Sequence, residues 1–323
     1  MTDINKKIVE LLLQHKSIKE IACLLSLSEK QVYMRINQII GYGYNFKPEY
    51  ISNSDIHYII NKKYYEEKNN TVKINMLNDK EFRCIIISDI HIGNIGYDMD
   101  LLKSVYEYAA KNGIHIIFNC GDFIDGVHST NKRILTDLES QIYTLIKKHP
   151  YDKNINVFTV LGNHDLHSLF FDGIDIMKII SKYRYDIIPI GYGKGVVNLK
   201  KDSILFQHEL SVDKNLYVDT DSKLIVSGHG HMMKTKIFGD GMILCAPALS
   251  SATCDKKIKV VPGFIDLRID FYKDKFDFIE ARQFIVDPLI CEVSQSRCKI
   301  SEVYYDREID KSFEKKKTYK NTK

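Results

Sequence analysis

Five apolar segments in the middle of the chain each run directly into side chains that can bind metal ions or protons. The segments are CIIIS (84–88), HIIFNC (115–120), VFTVL (157–161), SILFQ (203–207) and KLIVS (223–227). Short continuous apolar runs are typical of strands that are buried on both faces. Helical patterns, DMDLLKSVYEYAAKN and NKRILTDLESQIYTLIKKH, separate the first three. The alternation predicts an α/β fold with a mostly parallel sheet.

The residues that follow these strands are mainly Asp, Asn and His. They are Asp89 and His91; Asp122 and Asp125; Asn163, His164 and Asp165; His208; and His229 and His231. A single Asp or Asn after a strand is usually a turn or capping residue, but turns do not favour repeated histidines. Because the carboxyl ends of parallel strands meet at one edge of a sheet, we expect these side chains to lie together.

The expected set of ligands is chemically mixed. Carboxylates, an amide and imidazoles suit Mn, Fe, Zn or Ni better than Ca or Mg alone. One carboxylate can bridge two ions, which in two-metal sites lie about 3.5–4 Å apart. The pattern therefore predicts a site for two divalent metal ions, of which Mn is the first candidate.

The ordered series DIH, GDFID, GNHD, a lone His and GHGH resembles the calcineurin-like metallophosphoesterases, over about residues 81–286. The resemblance implies a four-layer α/β fold, in which two packed mixed sheets are flanked by helices. It also implies a metal site at the carboxyl ends of the strands, and a phosphate ester as the substrate. Hydrolysis would use a water acidified by the metals, without a covalent intermediate.

The same resemblance implies a role for each residue. Ligands of the first metal would be Asp89, His91 and His231; the bridging ligand would be Asp122; ligands of the second metal would be Asn163, His208 and His229. His164 matches the catalytic histidine of the family, which gives a proton to the leaving group or steadies the scissile oxygen. Asp165 would orient His164, and Asp125 would support the ligands from behind.

Three functions are consistent with this site. The protein phosphatases of the family carry arginines after GD and GNH, where this chain has Gly126 after Asp125 and Leu166 after Asp165. This difference favours a phosphodiesterase or nuclease, acting on nucleic acid or a nucleotide, over a phosphomonoesterase. The third function is a DNA-binding regulator whose phosphoesterase-like domain senses a metal or nucleotide. The intact ligand set argues against that regulator.

Residues 1–42 predict a separate, all-α domain of three helices. SIKE (17–20) and SEKQ (28–31) are capping boxes, with a tight turn at 26–28. The stretch resembles the trihelical helix-turn-helix of bacterial response regulators, although it lacks the usual turn glycine. Candidate DNA contacts on the third helix are Lys30, Gln31, Tyr33, Met34 and Arg35. Residues 1–40 contain six basic and four acidic residues, so their attraction to DNA phosphates is weak. Docking of another protein on these helices is therefore the alternative.

The rest of the chain gives broader predictions. We expect 43–80 to be a linker or small wing and 287–323 to be a basic tail. No apolar run approaches the roughly 18 residues that a membrane helix needs, and the N-terminus lacks a signal-peptide pattern. Seven scattered cysteines without a CxxC indicate reduced thiols, which fits a cytoplasmic protein without membrane partners.

Overall fold

The fold is described from a computed structural model. It covers residues 2–41, 45–52, 55–61, 71–74, 80–129, 131–209, 221–238, 241–251, 260–286 and 290–300. Residues 301–323, which make up most of the predicted basic tail, lie outside the described residues, as do parts of the predicted linker.

One mixed sheet of seven strands carries three of the five predicted ligand-bearing strands. Its order is β15-β14-β13-β4-β5-β6-β7. The strands are β4 (Glu81–Ile87), β5 (Ile116–Asn119), β6 (Asn156–Leu161), β7 (Ile187–Tyr192), β13 (Gly263–Tyr272), β14 (Lys275–Val286) and β15 (Ile290–Lys299). β4 to β7 are parallel, and β13 to β15 add an antiparallel extension. The carboxyl ends of β4, β5 and β6 therefore share one edge, as predicted.

A second mixed sheet of six strands supplies the other two ligand-bearing strands. Its order is β11-β12-β10-β9-β8-β3. The strands are β3 (Thr71–Ile74), β8 (Lys194–Leu199), β9 (Asp202–Gln207), β10 (Leu224–Ser227), β11 (Lys234–Phe238) and β12 (Gly241–Cys245). β9 and β10 are parallel, so their ends also meet at one edge. β11 and β12 form an antiparallel pair at the side of the sheet.

The two sheets pack face to face, and helices flank the larger one. The inter-sheet core includes Phe118 of β5 and Phe206 of β9, whose rings stack with centroids 4.2 Å apart. The flanking helices are α4 (Met99–Lys111), α5 (Leu138–Lys147), α6 (Asn163–Asp172) and α7 (Ile176–Tyr183). Asp98, Asp137 and Asp175 cap α4, α5 and α7. The predicted fold of two packed mixed sheets with helices is confirmed.

Three N-terminal helices pack on one another and on the main body. They are α1 (Asp3–Leu13), α2 (Ile18–Leu24) and α3 (Glu29–Gly41). Both predicted capping boxes form, at Ser17 with Glu20 and at Ser28 with Gln31. Ser26 has a φ of 53°, so it takes the left-handed conformation that the missing turn glycine would favour.

The segment after α3, predicted to be a linker or small wing, contains a two-stranded hairpin. β1 (Asn45–Ser52) and β2 (Asp55–Asn61) form an antiparallel hairpin that contacts α1 and α6, and α3 also contacts α6. β3 pairs with β8, and β15 pairs with β14, so the two sheets extend beyond the predicted limits of 81 and 286. β3 pairs with a strand more than 100 residues away, which local patterns do not reveal, whereas β15 pairs with the strand that directly precedes it. Within the described residues, every helix is too short or too polar to cross a membrane.

Candidate metal centre

The loops that carry the predicted ligands have unusual backbone conformations. Asp89, His91, Asp122, His229 and His231 all have φ between 51° and 62°. This left-handed region costs non-glycine residues of the order of 1–3 kcal/mol each, and it persists where the surrounding structure imposes it. Five such residues at the strand ends of the two sheets indicate that the loops are shaped to bring particular side chains together.

Close approach of these loops depends on glycines. Gly121 has a φ of 102°, and a Cβ there would lie 2.6 Å from Nδ1 of His208 and 2.6 Å from the backbone nitrogen of Gly162. A Cβ on Gly162 would collide with Asp122. The glycines of GDFID and GNHD therefore allow the loops after β5 and β6 to touch.

The first cluster consists of Asp89, His91 and His231, all buried. Nε2 of His231 lies 3.3 Å from Oδ1 of Asp89 and 3.3 Å from Nε2 of His91. Nε2 of His91 lies 3.7 Å from the same Asp89 oxygen. That oxygen is fully buried and has no hydrogen-bond partner within the described residues. A buried, unpartnered carboxylate oxygen facing two imidazole nitrogens fits a cation, because the cation would satisfy all three.

The second cluster consists of Asp122, His208 and His229, together with Asn163. Nε2 of His208 lies 3.0 Å from Oδ2 of Asp122. Oδ1 of Asn163 lies 3.0 Å from Nε2 of His208 and 3.0 Å from Nδ1 of His229. Oδ2 of Asp122 is also 3.8 Å from Nε2 of His91 in the first cluster. Asp122 therefore lies between the clusters, where a bridging ligand belongs.

Contacts behind the ligands fix which nitrogen points inwards. Nδ1 of His208 lies 2.7 Å from the carbonyl oxygen of Cys120. Nδ1 of His91 lies 3.4 Å from Oδ1 of Asp125. His208 thus has an outer oxygen acceptor at Nδ1, His91 has a carboxylate near its Nδ1, and both present Nε2 to the cluster, an arrangement common around metal sites.

The buried carboxylates of the centre stay ionised at neutral pH and attract positive charge. Burial opposes ionisation of Asp89, but the neighbouring His231 outweighs it, and the pKa of Asp89 falls well below its ordinary value. Burial disfavours charged His91 and His208, but the nearby carboxylates of Asp125 and Asp89 raise the pKa of His91 to about 9. The charge of Asp122 likewise raises the pKa of His208 to about 10. The carboxylates draw positive charge into the site, which divalent ions would supply.

His164 lies beside both clusters. Its backbone nitrogen donates to Oδ1 of Asp122 at 2.8 Å, and its Nδ1 lies 2.7 Å from the carbonyl oxygen of Asp125. Its ring meets that of His91 edge-on, with centroids 4.7 Å apart. Burial lowers the pKa of His164, an effect that a phosphate anion held next to it would oppose.

Asp165 does not have the predicted role. Its carboxylate accepts hydrogen bonds from the backbone nitrogens of Gly162 at 3.0 Å, Phe123 at 3.2 Å and Ile124 at 3.1 Å. It therefore ties the start of α6 to the GDFID loop, and the main-chain carbonyl of Asp125 takes its place beside His164. Asp165 is the third residue of α6, and the free backbone amides of a helix start and a tight turn attract a carboxylate.

Residues around Asp125 complete the support of the centre. Nδ2 of Asn94 and Nδ2 of Asn131 donate to Oδ1 of Asp125 at 3.0 and 2.9 Å. Nε of Arg133 lies 2.8 Å from Oδ2 of the same carboxylate. Asn131 and Arg133 escape sequence reasoning because they lie in no recognisable motif. Glu209, next to His208, was also missed, and burial raises its pKa to about 8.

The five candidate DNA contacts on α3 are not equivalent. Lys30, Tyr33 and Met34 are exposed. The side-chain oxygen of Gln31 accepts from the backbone nitrogen of Ser28 in the capping box, and Nη1 of Arg35 donates to Asn5 at 3.1 Å. Two of the five side chains thus already serve the packing of the three helices.

Comparison with known proteins adds a family match. Residues 82–233 match the model of the family described as Calcineurin-like phosphoesterase. Among curated proteins, none matches the chain.

Solved structures with a similar arrangement have low sequence identity. Yfce, a phosphoesterase from E. coli, is 15% identical with a TM-score of 0.42, covering 67% of this chain and 98% of its own. An archaeal phosphodiesterase is 14% identical with a TM-score of 0.39, covering 64% and 100%. Vps29 of Chaetomium thermophilum is 12% identical with a TM-score of 0.44, covering 68% and 98%.

Proposed function

We propose that this chain is a metal-dependent phosphoesterase, in which residues 82–233 form the calcineurin-like domain whose family model they match, and that it cleaves phosphodiesters in nucleic acid or nucleotides. One observation carries the proposal: Asp122 lies between two clusters of metal-type ligands, and its other oxygen accepts from the backbone of His164. A shared carboxylate is what a pair of closely spaced ions requires.

Seven of these residues would bind the metal ions, and His164 would transfer a proton. When bound, two divalent ions neutralise phosphate charge and lower the pKa of an attacking water. Asp89, His91 and His231 would hold one ion; Asn163, His208 and His229 would hold the other; Asp122 would contact both. The bond from Nδ1 of His164 to Asp125 leaves Nε2 for the substrate, where it can give a proton to the departing oxygen.

The cationic groups around the centre favour a diester over a monoester. A phosphomonoester carries nearly two negative charges at neutral pH, and enzymes commonly clamp its terminal oxygens with arginine. Arg133, which reaches this region, is instead paired with Asp125. Gly126 and Leu166 follow the motif carboxylates where the protein phosphatases have arginine. A diester carries less negative charge than a monoester, so it can bind at such a site without a free arginine.

A nucleic-acid substrate also fits the N-terminal helices. α3 contacts α6, and α6 begins with Asn163 and His164. DNA held by exposed Lys30, Tyr33 and Met34 would therefore be held by an element packed on the catalytic helix. The alternative, a protein docked on the same face, predicts no loss of DNA affinity when these side chains are changed.

Turnover of two small substrates tests the proposal. Mn²⁺-loaded protein is assayed on bis(p-nitrophenyl) phosphate and on p-nitrophenyl phosphate, beside Asp122→Asn and His164→Ala variants. We expect a higher kcat/KM on the diester, and a loss of at least about 100-fold in each variant. His115→Ala, at an exposed position between α4 and β5, is the matched control and should retain full activity.

Single- and double-stranded DNA serve as parallel substrates. Cleavage that depends on Mn²⁺ and on Asp122 would support a nuclease. A clear preference for the monoester would overturn the phosphodiesterase in favour of a phosphatase. Two bound ions without turnover, and DNA affinity that shifts with a nucleotide, would favour the regulator instead.

A further inference from the structure

A second charged and aromatic surface lies away from the metal centre. Tyr151, Tyr183 and Tyr185 have exposed fractions of 69%, 53% and 88%. Exposure of this degree is unusual, because a tyrosine ring normally buries much of its area. Tyr151 lies in the loop from α5 to β6, Tyr183 ends α7, and Tyr185 lies in the loop from α7 to β7.

Three lysines lie near these tyrosines in the sequence. Lys147 and Lys148 end α5 and its cap, and Lys182 precedes Tyr183; all three are exposed. Nζ of Lys182 lies 5.0 Å from the centroid of the Tyr183 ring. We call the six residues Tyr151, Tyr183, Tyr185, Lys147, Lys148 and Lys182 the tyrosine–lysine patch.

Buried Arg184 holds the two loops together. Its Nη1 donates to the carbonyl oxygen of His149 at 3.1 Å, and its Nη2 donates to that of Pro150 at 2.8 Å. The guanidinium also pairs with Asp186, through Nε at 2.8 Å and Nη2 at 2.6 Å. Since Arg184 lies between Tyr183 and Tyr185, these bonds hold the backbone of both tyrosines beside the loop that carries Tyr151.

Acidic side chains near the patch are already engaged. Asp186 is buried against Arg184. Oδ1 of Asp152 accepts from the backbone nitrogen of Asn154 at 2.8 Å, within the turn that enters β6. The three exposed lysines outnumber the single half-buried carboxylate of Asp152, so the exposed charge of the patch is positive and its complement is a polyanion with flat apolar faces.

The patch lies at the edge of the sheet opposite to the metal centre. Its loops enter β6 and β7 at their amino ends, whereas the ligands follow β4, β5 and β6 at their carboxyl ends. β5, β6 and β7 are parallel, so the two edges are separated by the length of the strands, roughly 20 Å. A small substrate at the metal centre does not reach the patch.

We propose that the tyrosine–lysine patch binds single-stranded nucleic acid at a site separate from the metal centre. Bases stack on exposed aromatic rings, and lysines contact the phosphates, which is how sequence-tolerant single-strand binding is achieved. The choice of nucleic acid as the polyanion rests on the proposed function. A strand held here would raise the local concentration of its remaining length at the centre.

Binding is measured by fluorescence anisotropy with labelled 20-nucleotide oligo-dT and oligo-U, on full-length protein in EDTA so that no turnover occurs. We expect a Tyr151→Ala/Tyr185→Ala variant to raise Kd at least about tenfold. A Lys147→Gln/Lys148→Gln/Lys182→Gln variant should weaken binding and flatten the salt dependence of Kd. The matched control is Tyr272→Ala/Lys273→Gln, an exposed Tyr–Lys pair in the β13–β14 hairpin with a similar cation–π contact.

Measurements of phosphodiesterase activity distinguish a failure of nucleic-acid binding at the patch from a failure of the proposed function. Turnover of bis(p-nitrophenyl) phosphate with Mn²⁺ should be unchanged in both patch variants, which also shows that they fold. Oligonucleotide affinity that depends on the patch, without any cleavage of nucleic acid, would overturn the nuclease and leave the patch standing. Unchanged Kd in the tyrosine variant would overturn the patch, whether or not the protein cleaves nucleic acid. The patch would also be overturned if sedimentation showed a dimer that the tyrosine variant abolishes while its Kd for the oligonucleotide stays the same.

Discussion

The main-chain carbonyl of Asp125 lies 2.7 Å from Nδ1 of His164. A carbonyl oxygen only accepts, so the bond places a proton on Nδ1 and turns Nε2 towards the substrate. The carboxylate of the same residue lies 3.4 Å from Nδ1 of His91. Asp125 thus contacts His164, the proposed catalytic histidine, with its backbone, and His91, a proposed metal ligand, with its side chain.

Asp125→Asn should separate these two effects. The variant keeps the carbonyl beside His164 but loses the charge that faces His91 and Arg133. We expect affinity for Mn²⁺ to fall about 10–100-fold, because groups behind a metal ligand commonly contribute that much. Isothermal titration with Mn²⁺ measures the change. Asp172→Asn, which removes the partner of exposed His128, is the matched control, and an equal loss there would refute the role of Asp125.

Asp165→Ala should reduce stability as well as activity. It leaves the buried amides of Gly162, Phe123 and Ile124 without their shared acceptor. Each unsatisfied amide costs about 1–3 kcal/mol, so we expect the free energy of unfolding to fall by at least about 3 kcal/mol. Urea titration gives the value. A variant with wild-type stability and reduced kcat would instead support direct action of Asp165 on His164.

Phe118→Ala tests the packing between the two sheets. Phe118 stacks on Phe206, and both are fully buried. The cavity should lower the free energy of unfolding by about 3–5 kcal/mol, whereas Phe118→Leu should cost less because it leaves a smaller void. Denaturant unfolding of the two variants gives the comparison, and similar small losses in both would contradict a tightly packed inter-sheet core.

Acid should destabilise the protein partly through His149. Burial, with a contribution from Arg184, lowers the pKa of His149 to about 3, against an ordinary value of about 6.5. The unfolded chain therefore takes up the proton first, and the stabilisation present above pH 6.5 is lost as pH falls towards 3. For this residue alone we expect a loss of about 3 kcal/mol between pH 6.5 and 4.

The test compares unfolding free energies of wild type and His149→Gln over that pH range. Gln keeps an acceptor for the hydroxyl of Tyr106, which lies 3.1 Å from Nε2 of His149. The difference between the two proteins should shrink as pH falls. His115→Gln, at an exposed position, is the control. Parallel curves for wild type and His149→Gln would contradict a buried neutral imidazole.

Local sequence patterns predict much of this structure. Apolar runs identify β4, β5, β6, β9 and β10, and the polar residues after them meet because parallel strands end together. The capping boxes at Ser17 and Ser28 mark α2 and α3 directly, since their bonds span only three residues. These features depend on spacing that can be counted along the chain.

Features that depend on distant contacts are not predictable in this way. The pairing of β3 with β8 joins segments more than 100 residues apart, and Arg133 reaches Asp125 through the fold of a loop. Asp165 was assigned to His164 because the two are adjacent in sequence. Two of the three amides that it binds instead belong to a turn more than 40 residues away along the chain.

The central claim is that Asp122 bridges two ions. Electron paramagnetic resonance during a Mn²⁺ titration tests it most directly, because two ions about 3.5–4 Å apart through one carboxylate are spin-coupled. We predict two ions per chain with a coupled signal, and loss of the coupling in Asp122→Asn. A single uncoupled ion in the wild-type protein, or an unchanged coupled signal in Asp122→Asn, would contradict the account.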